Sequence, residues 1–344
     1  MEFPGEKLVI KLWETLAEKG IGSLLVPGQM IREGKARNEV RRAELLMLAQ
    51  AEVDAAEIRA GRKYVGDDGT LRLSSSYNQL TESTSHSDKQ IEPLINMGLL
   101  ALNSASRKTA QDARKEINVS KAIIHAEDIL ANDSQVPPER TVEDDWLFAW
   151  QEYAGRVSTE DLQQLWGKIL AGEVKSPGTH SIRTLDFLKG ISKSEAEQIS
   201  KLAEFVIKGR IFRDLEQYLK DAGLSFDSFL VMQELGILSG VESIGLETNF
   251  SSVIPDRFIC PLVSNGKVLV VTHEDAAKSL KMKVYLLTTV GRQLLELGSF
   301  KPNVEYLRLT GKEILKQGFT VELADYVQVT EDRWLYLNAE KIVA

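Results

Sequence analysis

The sequence predicts a mainly helical N-terminal region with a long helix, followed by a smaller C-terminal α+β domain. Three observations carry this reading. From Gln29 to about Lys63 the chain is rich in Ala, Glu, Arg and Leu, with Gly34 as its one weak spot. Between Thr141 and Lys208, capping residues and apolar residues recur at helical spacing. Past Gly209 two strand-like runs, "FICPLV" and "KVLVVTH", are joined by Ser264-Asn265-Gly266, and Asn-Gly is a strong hairpin signal.

The first element is an amphipathic helix over 5–19, with Leu8, Ile10, Leu12, Trp13 and Leu16 as its apolar stripe. "KGIGSLLVPGQM" breaks it around the apolar residues Ile21, Leu24, Leu25 and Val26. The long helix that follows would span about 50 Å at 1.5 Å per residue. A helix of that length needs a partner, so a helical hairpin or an oligomer is implied.

"VGDDGTLRLSSSYNQLTESTSHSD" reads as a turn or brief hairpin and then a flexible linker. Two helices are expected over 89–114 and 116–131, the second with Ile117, Ile123, Ile124 and Ile129 apolar. Pro137 and Pro138 stop that run. A helix after Thr141 carries Trp146, Ala149, Trp150 and Tyr153. Ser158, with Asp161 three later, looks like a capping box for the next helix. That helix sets Leu162, Leu165, Trp166, Ile169 and Leu170 on one broad face. Gly172, Pro177 and Gly178 end it. Ser181 can cap a short helix, and Ser192 with Glu195 makes a capping box for one more.

Further on, "FDSFLVMQELGILS" reads as a helix, "KVYLLTTVGRQLLEL" as strand, cap and helix, and "EYLRLTGKEILKQGFTVELADYVQVT" as strand, helix, strand, with "RWLYLNA" adding a closing strand. The helix, the Asn-Gly hairpin and "LTTVGRQLLEL" resemble the pieces of a winged-helix-like portion. The expected domains are 1–73, a helical segment with the long helix; 74–88, a linker; 89–208, a helical domain; and 209–344, the α+β domain.

Charge narrows the function classes. The chain carries −8, but residues 120–180 hold 5 basic and 11 acidic side chains, while 181–344 hold 20 and 22. No stretch has the basic excess that phosphate neutralisation favours, which disfavours nucleic acid as a partner. One cysteine, Cys260, allows no internal disulfide and no zinc pattern, and a reducing cytoplasm is the expected compartment. The N-terminus does not read as a signal peptide, and no run of eighteen apolar residues occurs.

Catalytic constellations are missing from the text. His86, His125, His180 and His273 are scattered without metal-ligand spacing. His180, in a turn, is expected to be solvated. Cys260, in a strand, is expected to be a buried small hydrophobe. Glu143, Asp144 and Asp145 suit a helix N-terminus better than an ion, because three consecutive acids cannot face one metal. No GxSxG, Walker A or GxGxxG sequence occurs. The expectation is therefore a protein with no cofactor and no metal; the reading leans away from an enzyme and leaves an enzyme with an unfamiliar site open.

The segment "DDWLFAWQEYAGRVSTEDLQQLWGKILAGEVKSPGTHSIRTLDFLKGISKSEAEQ" resembles the signature block of a bacterial family of unknown function. The matching positions include Asp145-Trp146, Leu165-Trp166, Ile169 to Glu173, Pro177-Gly178, Ser181 and Arg183 to Leu185. The likeness extends to "PGQMIREGKARNE" upstream and "LLTTVGRQLLEL" downstream. A looser likeness, in Leu-Trp, Pro-Gly and Arg-Thr-Leu, is to the abortive-infection alpha proteins of bacteria. The resemblance implies no activity and no catalytic residue, but it does imply a link to phage defence.

The residues themselves read as architecture: Trp146, Trp166, Gly172, Pro177 and Gly178 as packing and turn, and Arg183 as a buried salt bridge near Glu173 or, alternatively, an anion contact. The expected function is a non-catalytic recognition or scaffold protein that self-assembles and meets an unidentified protein partner. One alternative is a peripheral membrane effector using Ile21, Leu24, Leu25, Arg32, Arg41 and Arg42 within residues 20–42. The other is a winged-helix DNA-binding regulator.

Overall fold

A computed structural model of the chain describes residues 4–22, 37–65, 70–73, 97–243, 246–330 and 333–343. The linker expected at 74–88 lies outside them, as do Leu24, Leu25 and Arg32. The chain divides into two compact units, Met1–Leu185 and Asp186–Ala344.

The first unit is helical. Helix α1 (Glu6–Glu18) buries Leu8, Val9, Leu12, Trp13 and Leu16. Helix α2 (Arg37–Arg59) is the described part of the long helix, and Lys63 at its expected end belongs to a small hairpin, β1 (Lys63–Val65) with β2 (Leu71–Leu73). Helix α3 (Met97–Ala131) is one continuous element where two had been expected. The residues between 111 and 122 contain neither Gly nor Pro, so nothing breaks the helix there. Its 35 residues span about 52 Å. Its length is met inside the unit: Ala55 and Ile58 of α2 are buried, and Lys121 of α3 pairs with Glu52 of α2 at 2.9 Å.

Helices α4 (Asp144–Ala154) and α5 (Glu160–Lys175) complete this unit. The start of α5 is one residue off the expected position. Thr159 is its N-cap, without a side-chain cap bond, and Ser158 instead accepts from Arg114 of α3 (Nη2, 2.6 Å). The inward face of α5 is also rotated. Gln163, Trp166, Gly167, Ile169, Leu170, Glu173 and Val174 are buried, while Leu162 is 41% exposed. Gln163 is satisfied inside: its Nε2 donates to Asn118 Oδ1 at 3.2 Å, and Asn118 Nδ2 donates to the Gly155 carbonyl at 2.8 Å. Gly167 sets the approach of α5 to α3. A Cβ there would stand 2.6 Å from His125 Cβ and 2.7 Å from the Ala122 carbonyl oxygen.

Helix α6 (Ile182–Gly190) runs across the boundary between the units. The second unit continues with α7 (Lys193–Ala203), opened by the capping box of Ser192 and Glu195. Then come β3 (Arg210–Phe212), α8 (Glu216–Asp221), α9 (Phe226–Glu234), β4 (Leu238–Ser239) and β5 (Glu247–Phe250). They are followed by β6 (Phe258–Ser264), β7 (Lys267–His273), β8 (Leu280–Leu287), α10 (Thr289–Leu297), α11 (Val304–Leu315), β9 (Thr320–Thr330) and β10 (Arg333–Lys341). One sheet has the order β10-β9-β7-β6. The other has β3-β8-β4, with β5 also on β8.

The Asn265-Gly266 hairpin forms as expected, with φ of 42° and 83°. "EYLRLT" is not a strand. Asn303 Oδ1 accepts from Tyr306 N at 2.9 Å and starts a helix that buries Tyr306, Leu307, Thr310 and Ile314, a helical rather than alternating spacing. Tyr306 anchors the core of this unit: its ring lies edge-on to Phe205 and its hydroxyl accepts from Phe212 N at 2.8 Å. Cys260 is buried on the same core.

Gly167→Ala separates two opposed effects. In an exposed helix the change stabilises by about 1 kcal/mol. Here the added methyl meets α3 backbone, so the expected result is a loss of about 1–3 kcal/mol in urea unfolding. A gain would show that the crossing is looser than described.

Candidate functional site

The chemistry-bearing side chains of the first unit converge on the turn after α5. Glu173 lies seven residues beyond Trp166, so it shares the buried face of α5, and it is 2% exposed. Its carboxylate accepts from two main-chain N–H groups of the turn, Gly178 on Oε1 and His180 on Oε2 at 3.0 Å. Gly178 sits at φ 95°, a conformation that glycine adopts freely. Trp146 of α4 donates its indole N–H to the His180 carbonyl at 2.6 Å. Gly172 makes room for the histidine, since a Cβ there would stand 3.1 Å from His180 Cε1. Three of the anticipated residues, Trp146, Gly172 and Gly178, are thus gathered around two that had been given no such role, Glu173 and His180.

His180 is the main correction. It was expected to be solvated and is 4% exposed. Neither ring nitrogen has a hydrogen-bond partner. Nδ1 stands 4.0 Å from Glu173 Oε2, too far for a hydrogen bond. Burial pushes the imidazole down to about 4, and the charge of Lys168 adds to the push. The ring is therefore neutral at neutral pH, and the pair is not an ion pair. Burial likewise pushes the Glu173 carboxyl up, against the pull of the two backbone N–H groups and of Arg140. A buried acid could have been found from the sequence, because Glu173 continues the heptad spacing of Trp166. Nothing local marks His180.

The other candidates fall elsewhere. Trp166 is buried, its carbonyl accepts the Trp150 indole at 2.9 Å, and its ring lies 6.0 Å from Tyr153. Pro177 is half-buried in the turn. Arg183 forms no buried salt bridge. It is exposed, because Thr184 and Leu185 take the buried positions of α6, and the turn's backbone takes Glu173. Asp144 and Asp145 lie in the first turn of α4, and Asp144 pairs with Lys19 at 2.6 Å. Ile21 is buried beside α3 and is not offered to a membrane; the Gly22 Cβ position is 2.9 Å from Ile123 Cδ1. Arg41 and Arg42 lie on α2, with their side chains outside what is described. Among the described residues, no helix is long and apolar enough to cross a membrane, and no group of three or more His, Cys, Asp or Glu could hold a metal ion.

The arrangement binds its own main chain. The Trp146 indole, the Glu173 carboxylate and the N–H groups of Gly178 and His180 are all used inside the unit, while the His180 ring nitrogens are enclosed without a partner. A profile of a family described as "Protein of unknown function (DUF2806)" matches residues 103–310, more than half of the chain. No curated protein and no solved structure matches the chain.

The His180 shift has a definite sign. The folded state resists protonation between pH 6.5 and about 4, so stability is lost as pH falls through that window, by about 3 kcal/mol at the limit. The raised Glu173 acts oppositely, favouring the folded state as pH falls through its shifted value. In an NMR titration the His180 ring should remain neutral down to pH 5. Protonation near pH 6.5 would contradict the buried, unpartnered ring.

Proposed function

We propose that this chain, which belongs to the DUF2806 family of proteins of unknown function, is a non-catalytic recognition and scaffold protein that self-assembles. The observation that carries the reading is the inward closure of the signature. A catalytic centre keeps polar groups aimed at a space a substrate can enter. Around Glu173 and His180 they are aimed at a turn.

The assembly surface we assign to the β9–β10 hairpin. β10 is the end strand of its sheet. Leu335 pairs with Val327, and Leu337 with Asp325, which sets Val327, Leu335 and Leu337 on one face, each about half exposed. An edge strand with exposed apolar side chains is a template for another strand. The register shifts at Arg333/Trp334 and Leu337/Glu340 leave Trp334–Leu337 as the longest run in one register, ahead of Glu340–Lys341. The proposed occupant is a second copy of the same strand.

We read α9, the Asn265-Gly266 hairpin of β6 and β7, and α10 as the winged-helix-like portion. From α9 to α10 the order is helix, five strands, helix, and the strands divide between the two sheets. Fold likeness does not choose between DNA and protein. α9 favours protein: it exposes Phe226 and Val231, carries Asp227 and Glu234, and has no Lys or Arg to meet phosphates. The link to phage defence is proposed on the abortive-infection likeness of the Leu165–Leu185 block alone.

Light scattering on the full chain should give a defined multiple of 38.4 kDa. Leu335→Lys with Leu337→Lys should reduce it to the single-chain mass with unchanged circular dichroism. A wild-type chain that is monomeric at high concentration would sink the assembly reading.

A further inference from the structure

The second unit builds the same tight turn twice. Asn265-Gly266 joins β6 to β7 with φ of 42° and 83°. Lys208-Gly209 joins Ile207 to Arg210, which pair as an antiparallel bridge, with φ of 48° and 72°. The first position of such a turn favours Asn, Asp or Gly, because a left-handed backbone crowds a longer side chain. Asn obeys this rule at 265, and Lys208 breaks it. A residue held against its backbone preference points to a use for its side chain.

The surroundings of Lys208 supply that use. Its Nζ lies 5.8 Å from the centre of the Phe250 ring, and the Arg210 guanidinium lies over the same ring at 5.1 Å. Arg210 donates to the Lys208 carbonyl at 2.7 Å and to Thr248 Oγ1 at 3.4 Å. Arg292, from the first turns of α10, donates to the Leu287 carbonyl and to Thr289 Oγ1, and its Cδ is 3.8 Å from where a Cβ on Gly209 would stand. Three cations thus collect around Gly209. Among the described residues, none of the three forms an ion pair. Burial first, and the charge of Arg292 second, pull the Arg210 guanidinium below its ordinary value. Like charges gathered without a counter-charge are unfavourable until an anion joins them.

The shape of the cluster selects the anion. The cations meet at one turn instead of running as a stripe, and residues 181–344 hold 20 basic against 22 acidic side chains, so a nucleic-acid track is not built here. Two guanidiniums and an ammonium suit a compact group with several oxygens and a double negative charge. We propose that Lys208, Arg210 and Arg292, with Phe250 beneath the first two, form a binding site for a phosphate monoester. The site stands independently of self-assembly, on residues the assembly surface does not use.

The test is thermal unfolding of the full chain with inorganic phosphate, AMP or O-phosphoserine, each at constant ionic strength against sodium chloride. A saturable rise in Tm is expected. In Lys208→Asn and in Arg292→Gln, the concentration giving half of that rise should increase at least tenfold. Lys208→Asn should also raise the ligand-free Tm by about 2 °C, because Asn tolerates the left-handed turn, so its lost response cannot be misfolding. A stronger response to AMP would identify a nucleotide, a stronger response to phosphoserine a modified side chain, and equal responses the free anion. A rise no larger than that with chloride, or one unchanged in both variants, would overturn the site. Salt-steep binding of duplex DNA that both variants lose would overturn the compact-anion reading.

Discussion

The carboxylate of Glu173 holds two N–H groups of the turn that follows its own helix, and the first unit depends on that closure. A helix end leaves main-chain groups without partners, and a buried turn adds more. Leaving the N–H groups of Gly178 and His180 unmet would cost about 1–3 kcal/mol each. The acid cannot be removed alone without that penalty, nor the turn without stranding a buried carboxylate. Trp146 completes the arrangement from α4. Its indole is nearly enclosed and needs an acceptor, which the His180 carbonyl provides. One helix end, one turn and a neighbouring helix are thereby fixed to each other through main-chain atoms, which explains why several residue types in this block look chosen.

Burial of that acid also clarifies the charge of the region. Of the eleven acids between 120 and 180, only Glu127 and Glu173 are buried. The rest lie on the surface or at its edge, some neutralised locally, as in Lys19–Asp144, Lys175–Asp133 and Arg140–Glu143. The acid excess is therefore an outward field of this unit and repels a polyanion.

Features fixed by local chemistry were legible in the sequence. The Ser192–Glu195 capping box, the Asn265-Gly266 turn and the buried Trp146 and Trp166 each follow from a few neighbouring residues; for α10 the sequence leaves Thr288 or Thr289 as the cap, and it is Thr288. Features fixed by a distant partner were not. Leu162 looks apolar-faced in the text, yet α5 turns Gln163 inward because Asn118 of α3 waits for it. "EYLRLT" alternates well enough for a strand, but Tyr306 is drawn into the core by Phe205 and the Phe212 N–H, far back along the chain. Polarity suggested that His180 was wet, but the turn around it is closed by Glu173, a contact set by the fold and not by adjacent residues.

Among the described residues, His180 and Lys208 both break local rules, and they break them differently. His180 is a polar ring with no partner, and Lys208 is a long side chain in a left-handed turn. In a sequence whose levels otherwise agree, such places mark where something besides local preference decided the residue. For His180 the ring is enclosed, so its neighbours inside the unit are what it can serve: it fills the space that Gly172 leaves. Lys208 is exposed, and its backbone would be better served by the Asn that the chain uses at 265. What folding draws from that lysine is the contact of its ammonium with the Phe250 ring. What it adds is a charge beside two guanidiniums, and a charge facing water is useful to a protein only through what it meets there.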